Sequence, residues 1–362
     1  MDYRNYCEID LGAIAHNYNQ IKDRVGPNVK VMGIVKADAY GHGIVRVSET
    51  LIKNGIDYLG VATVEEGLEV REHFDIPIII LGFVPYNQIE SAIKKNITQT
   101  IYSLTCAEDI SKIAKSLNQK AKVHIKIDTG MNRLGFSPRD IEDMSKIKKL
   151  DNLEIEGIFT HFSCADSDEE YTKKQFELFC DVSSKLKNIF EIKYLHCCNS
   201  AGIENFTNMY LNMVRPGISL YGLSNTKSSF LKPAMFFKSE IVHLKNVPVG
   251  SKISYNGSFI TKRDSIISTI PVGYADGYPR KLSNNINVLI NGMLVPVVGR
   301  ICMDYFLVDV TGINPKLYDE VVLFGCQEQK EISVNELADK TDTINYEIIC
   351  SIGKRVPRIY ID

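Results

Sequence analysis

A lysine closes a five-residue, mostly apolar run, Val31-Met-Gly-Ile-Val-Lys36, and Ala-Asp-Ala-Tyr40-Gly-His-Gly43 follows it. A lysine there serves one of two ends. Its stem covers apolar surface while the ammonium stays in water, or a desolvated amine attacks a carbonyl and forms a Schiff base. The run is continuous rather than alternating in polarity, which fits a strand buried on both faces. Gly41 and Gly43 give the following turn its backbone freedom. Lys36 then stands at the carboxyl end of a buried strand, where parallel sheets and barrels carry their chemistry.

The elements that position such a lysine repeat along the chain. Short apolar runs fall at 30–36, 58–62, 77–82, 98–103, 122–128, 154–160, 194–199 and 214–221. Amphipathic, helix-length stretches separate them at 44–54, 64–74, 86–95, 106–118, 138–149 and 167–187, and Asp10 opens a further one before the first run. Strand and helix alternating at this spacing indicate parallel βαβ units, and eight of them predict a (β/α)8 barrel over residues 1–230. A doubly wound open sheet is the alternative, but no Gly-x-Gly-x-x-Gly follows the first strand. From 231 to 362 the texture changes to alternating runs at 239–245, 265–271, 286–290, 294–298, 305–310 and 320–324, with one helix near 333–340. The expected fold class is therefore α/β, an N-terminal barrel with a C-terminal predominantly β domain.

Composition narrows the function. The 362 residues are 44% hydrophobic and 24% charged with a formal net charge of −2, which provides neither a basic stripe for nucleic acid nor a polybasic patch for a membrane. The first residues lack the apolar core of a signal peptide, and no stretch reaches membrane-spanning length. Nine scattered cysteines with no Cys-x-x-Cys pair fit reduced thiols in a cytoplasm better than a zinc site or disulfide framework. Cys197 and Cys198, as strand neighbours, are expected to point to opposite faces.

In a barrel, the polar residues at strand ends meet at one mouth. That selects Lys36 and Tyr40, the segment from Asp128 to Arg133, His161, Asn199-Ser200, and Arg215 through Gly222. Ser200 and the backbone of Gly217 and Ile218 follow the seventh and eighth strands, where barrels commonly bind phosphate. Phosphate donors together with a strand-end lysine point to pyridoxal phosphate. Within Lys122-Val-His-Ile-Lys-Ile-Asp128, alternation sends His124, Lys126 and Asp128 to the barrel interior. A buried ammonium there needs a partner.

The chain resembles the alanine racemase family along its whole length. The segments that carry the resemblance, in order, are Lys36-Ala-Asp-Ala-Tyr-Gly-His-Gly, Asp128-Thr-Gly-Met-Asn-Arg-Leu-Gly-Phe136, Thr160-His-Phe162, Asn199-Ser-Ala201 and Val214-Arg-Pro-Gly-Ile218. Ser254-Tyr255, Pro271-Val-Gly-Tyr-Ala-Asp-Gly-Tyr-Pro-Arg280, Gly299-Arg-Ile-Cys-Met-Asp304 and Asn345-Tyr-Glu347 complete the set. The resemblance implies interconversion of L- and D-alanine for peptidoglycan, with Lys36 and Tyr255 as the two acid/base groups, one for each face of the substrate α-carbon. Taken without the resemblance, Tyr255 reads more readily as a strand-face packing residue, and the family match reverses that order. A phenol of pKa about 10 needs positive neighbours to act as a base, and the family pattern links it to His161 and Arg215. Arg215 is implied to face the pyridine nitrogen; a donor-only, permanently charged group keeps that nitrogen unprotonated.

Further roles come by the same correspondence. Tyr40 and Tyr346 are implied phosphate ligands, beside Asn199, Ser200, Gly217 and Ile218. Arg133, Met303 and Asp304 are implied at the substrate, with Arg133 also on the cofactor's ring hydroxyl, and Tyr274 at the entrance, where Tyr278 either joins it or packs in the core. Lys126 is implied to be carbamylated, becoming an anion that holds Arg133. Family members are homodimers in which the β domain completes the partner's barrel, so residues 231–362 are expected to finish the site of the other subunit. Asn256 and Tyr305 depart from the family, which usually has glycine, and glutamine or methionine, there. A serine-preferring or broad-specificity amino-acid racemase of the same fold is the nearest rival. A metal-dependent barrel hydrolase lacks its His-x-His pair among the seven histidines, and a non-catalytic cofactor carrier leaves Tyr255 without a purpose.

Overall fold

A computed structural model describes residues 3–224 and 230–362. Its first compact unit spans Ala13–Ala39 and Gly43–Lys232. Eight parallel strands close on themselves there: β2 (Lys30–Ile34), β3 (Tyr58–Val61), β4 (Ile78–Ile80), β5 (Thr98–Ile101), β6 (Ala121–Lys126), β7 (Leu153–Phe159), β8 (Tyr194–His196) and β9 (Met213–Val214). Closure is made by β2 on β9, with Lys30 opposite Met213 and Val31 opposite Val214. Continuous apolar runs form these strands because both faces are covered: Ile78, Ile79 and Ile80 are all fully buried. Each such side chain contributes about 1.5–3 kcal/mol relative to exposure. Three of the helices between start at side-chain caps: Thr63 on Glu66 N–H, Ser103 on Cys106 N–H and Asp168 on Tyr171 N–H.

The expected runs at 194–199 and 214–221 are longer than the strands they predict. β8 ends at His196, so Cys197 and Cys198 lie beyond it and their sulfurs sit 3.9 Å apart, both on the Met209 carbonyl. The opposite-face expectation fails because period-two alternation holds only inside a strand. β9 stops before Pro216, which has no N–H for a ladder, and the backbone turns through Ile218–Tyr221 instead.

The second unit comprises the N-terminal residues through Gly12, Tyr40–His42 and Pro233–Asp362. Residues 1–12 thus cluster with this unit, whereas the range 1–230 groups them with the barrel. The cause is β1 (Asn5–Asp10), which pairs antiparallel with β10 (Met235–Glu240) and parallel with the strand Arg358–Ile361. The expected single strand at 239–245 is two, β10 and His243–Val247, which pair in different sheets. The break falls at Ile241-Val242, where two apolar residues stand side by side and the period-two alternation lapses. The expected helix appears at Val334–Thr341, capped by Ser333. Among the described residues no helix is long and apolar enough to cross a membrane.

Candidate active site

Lys36 is the second residue past β2, after the buried Val35, and is exposed in the single chain. The next four residues, Ala37, Asp38, Ala39 and Tyr40, have φ of 53°, 52°, 52° and 54°, a left-handed helical turn made by non-glycine residues. Each costs roughly 1–2 kcal/mol against the right-handed form, so the surroundings must hold it. Glu66 does part of this, accepting from Ala37 N–H at 2.7 Å and from Ala62 N–H at 2.8 Å. Asp38 adds an acceptor for Ile44 N–H at 2.8 Å. The expected freedom at Gly41 and Gly43 is real, with φ of 82° and 94°, but the turn starts before them. Glu66 was not selected from sequence, though Thr63-x-x-Glu66 directly after β3 is a readable capping box.

Around this turn the barrel mouth gathers cations. Lys126, only 6% exposed on β6, lies with Nζ 5.5 Å from the Phe159 ring centre. Burial, then the charges of Arg133 and Arg215, bring its ammonium pKa down to about 8, with Asp128 opposing and Lys36 adding to the shift. Arg133 is exposed on a loop wound around Asp128, whose carboxylate accepts from the N–H groups of Gly130, Asn132 and Arg133 at 3.0, 2.9 and 3.0 Å. Arg215 is buried. It donates from Nη1 to His196 Nδ1 at 2.7 Å, and from Nη2 to the carbonyls of Thr160 (2.7 Å) and Cys197 (3.0 Å) and to His161 Nδ1 (3.3 Å). Burial lowers its pKa to about 10, so it stays cationic at neutral pH. His161 is held well below the usual imidazole value by burial, then by Arg215, Arg133, Lys126 and Lys36. It is neutral, with Nδ1 accepting and Nε2 protonated.

Donors for a phosphate cluster at the ends of β8 and β9. Ser200 Oγ accepts from Gly217 N–H at 3.0 Å, Ser219 N–H at 3.2 Å and Ser219 Oγ at 2.9 Å. Several donors crowd one hydroxyl oxygen here, and the multiple acceptor oxygens of a phosphate match that excess. Ser219 falls inside the span from Arg215 through Gly222, but no pattern singles it out from the apolar run around it. Asn199 caps the short helix Ser200–Asn205 through Gly202 N–H at 2.9 Å, and Ile218 offers only backbone. Among the described residues none of the hydrogen bonds of Arg215 involves Nε, which leaves that N–H for a ring nitrogen. These features fit pyridoxal phosphate.

The sheet unit carries the other selected residues. Tyr40 is buried, with its ring centre 5.9 Å from that of Tyr346. Burial, then Tyr346 and Cys350, raise its phenol pKa well above the usual value, so it remains an O–H donor. Tyr255 is 66% exposed and sits between two strained residues, Ser254 and Asn256, each at φ 60°. Asparagine tolerates that left-handed conformation better than most residues, which explains why Asn256 can stand where glycine is usual. Ser254 Oγ donates to the Arg300 carbonyl at 2.6 Å, tying the Tyr255 turn to the segment that leads to Met303.

That segment is fixed in turn by its neighbours. Tyr274 N–H donates to Cys302 O and Ala275 N–H to Met303 O, both at 3.0 Å. A Cβ on Gly273 would come within 2.1 Å of the Met303 oxygen, so this approach requires glycine. Arg355 bridges the buried Asp276 and Asp304 at 2.8 Å each, and neither Arg355 nor Asp276 was selected from sequence. Met303, Tyr274 and Tyr305 are exposed. Tyr278 is not an entrance residue: it is fully buried against Phe306 and Phe237, and it packs.

Two family profiles together span the chain, the alanine racemase N-terminal domain over residues 9–225 and the alanine racemase C-terminal domain over 234–360. The chain belongs to the alanine racemase family. It is 48% identical to alanine racemase 2 of Caldanaerobacter subterraneus subsp. tengcongensis, covering 98% of this chain and 94% of that one. The structure of a Clostridium difficile 630 alanine racemase superposes with a TM-score of 0.95 at 42% identity, covering 100% and 96% of the two chains. A Bartonella henselae alanine racemase structure with covalently bound pyridoxal phosphate gives 0.91 at 31% identity, covering 99% and 100%. As a member of this family the chain is a pyridoxal-phosphate-dependent isomerase that interconverts L- and D-alanine.

Proposed function

We propose that Lys36 and Tyr255 of the partner subunit are the two proton-transfer groups of this racemase. The carrying observation is how the chain divides its chemistry. The barrel unit holds the strand-end amine and the anion-binding donors, whereas Tyr255 stands 66% exposed on the sheet unit. Tyr274, Met303 and Tyr305, on adjoining segments, are 43, 53 and 48% exposed. Exposed aromatic and apolar side chains gathered in this way mark a surface that a partner covers, so we read the assembly as a homodimer with shared sites.

Pyridoxal phosphate, when bound, accepts the negative charge left on the substrate α-carbon. The chain's residues do the rest. Lys36 Nζ holds or takes a proton on one face and Tyr255 Oη on the other. Neutral His161, with its Nε2–H, and cationic Arg215 favour the phenolate of Tyr255. Arg215 Nε–H would be the donor available to the ring nitrogen, and a permanently charged, donor-only group there would leave that nitrogen unprotonated. Ser200, Ser219, Tyr40, Tyr346 and the backbone of Asn199, Gly217 and Ile218 hold the phosphate. Arg133 and the Met303 backbone bind the substrate carboxylate, and Asp304 sits beside Met303, held by Arg355. Tyr274 lines the approach. Tyr346 crowds any side chain larger than methyl, so alanine is preferred to serine. We assign the protein to the cytoplasm and its D-alanine to peptidoglycan. Specific activity followed over dilution should fall in step with the dimer fraction from sedimentation velocity; a fully active monomer would overturn the shared site.

Lys126 adds a proposal of its own. With a pKa of about 8, about a tenth of its amines are neutral at pH 7, enough to add to carbon dioxide. The ammonium gives one proton to solvent, the neutral amine forms the N–C bond and loses a second proton, and a buried cation becomes an anion facing Arg133. Holoenzyme equilibrated with 13C-bicarbonate should show a carbamate carbon that is absent in Lys126→Gln. At a fixed concentration of dissolved carbon dioxide, uptake should be faster at pH 8 than at pH 7, because the neutral amine grows as pH rises toward its pKa. No such resonance at any pH would sink the modification.

A further inference from the structure

Arg215 carries hydrogens and no lone pair to offer, so every group it touches must accept. His196 Nδ1, 2.7 Å from Nη1, is therefore bare. A neutral His196 then carries its proton on Nε2, which lies 2.9 Å from His124 Nδ1. That nitrogen must accept in turn, so the His124 proton also resides on Nε2. Both rings are fully buried. Burial, then Arg215, hold His196 well below the usual imidazole value and bring His124 down to about 3, which keeps both neutral. Arg215 to His196 to His124 is a one-way relay of donors. At its end the His124 Nε2–H has no partner among the described residues.

The rings are also held sterically. A Cβ on Gly157 of β7 would come within 2.7 Å of His124 Cε1 and Nδ1, so the imidazole occupies the space this glycine leaves. His196 stacks on Phe159 with centres 4.8 Å apart and planes 3° from parallel. The guanidinium carbon of Arg215 lies 5.5 Å from the same ring centre.

We infer that His124 is a positioning residue for Arg215, acting through the His196 tautomer to fix which guanidinium hydrogens are engaged and which face the barrel mouth. The inference rests on the reading that Arg215 Nε meets the cofactor. Without an acceptor at His124, the His196 Nε2–H is left unpaired in the core, or the ring adopts its other tautomer and sets Nδ1–H against Nη1–H. Either outcome moves Arg215.

The direct test is 15N solid-state NMR of histidine-labelled holoenzyme, assigned by the signals lost in His196→Gln and His124→Asn. Both rings should show a bare Nδ1 and a protonated Nε2 at neutral pH. A protonated Nδ1 or a charged ring at either position overturns the relay. In kinetics, His124→Leu should lower kcat about tenfold or more with KM within about twofold, and shift the visible absorbance of the bound cofactor. His124→Asn, whose Oδ1 stands near the place of Nδ1, should recover to within about threefold of wild type. Gly157→Ala, which displaces the ring, should follow His124→Leu. Equal losses in His124→Leu and His124→Asn would overturn the inference, since packing alone would then explain both. Arg215→Lys separates the two levels: if it leaves rate and absorbance unchanged, the reading of Arg215 fails whatever the tautomers are.

Discussion

Lys36→Ala should racemise alanine at least about a thousandfold more slowly than wild type, because a positioned acid/base group alone contributes about 10²–10⁴-fold and this residue also anchors the cofactor. The loss should fall on kcat. Lys36 is exposed in the single chain and lies one residue before the left-handed turn, so its truncation leaves the barrel core untouched. Thermal midpoints of the cofactor-free proteins should agree within about 2 °C, the behaviour of a surface substitution. The cofactor should dialyse away from the variant and remain on wild type, its phosphate donors at Ser200, Gly217 and Ser219 being intact but no longer assisted by a covalent bond. D-Alanine formation within tenfold of wild type would remove Lys36 from the mechanism.

Tyr255→Phe is the second large effect and the more informative one. The change deletes one oxygen from a side chain that is 66% exposed, so folding is spared while one face of the α-carbon loses its proton-transfer group. Racemisation should fall by about 10²–10⁴-fold. Exchange of the α-proton with deuterated solvent should persist for one enantiomer only, because Lys36 still serves its own face. Exchange lost from both enantiomers, or retained in both, would contradict one group per face. The turn that presents Tyr255 should tolerate the change, since its strain is at Ser254 and Asn256 and is anchored by the Ser254–Arg300 hydrogen bond.

Much of this arrangement is legible in the chain, and what is not has identifiable causes. Eight runs mark the eight barrel strands because burial on both faces keeps most positions apolar, with Thr98, Gln99 and Thr100 of β5 and His124 and Lys126 of β6 as buried polar exceptions. β1 escapes because its partners, β10 and Arg358–Ile361, lie more than two hundred residues away, and pairing at that distance leaves no local pattern. Lys36, Arg133, His161 and Arg215 are visible because they end strands or follow them. Ser219 and Arg355 act through hydrogen bonds whose partners only the fold brings near, and so does Glu66 in its bond from Ala37 N–H. His124 was legible as an interior residue by alternation, but its tautomer depends on His196 at the end of β8 and on Arg215 just past β9. Asn256 reads as a departure in sequence and as a conformational match once its φ of 60° is known.

The shared site can be tested in one measurement. Lys36→Ala and Tyr255→Phe chains, each inactive alone, are co-expressed with different tags, and the doubly tagged species is purified. If the barrel of one subunit works with Tyr255 of the other, each mixed dimer has one site carrying both defects and one carrying neither. Its turnover should then be about half that of the wild-type dimer. A mixed dimer as inactive as its parents would show that Lys36 and Tyr255 of the same chain serve one site, and the account would be wrong at its centre.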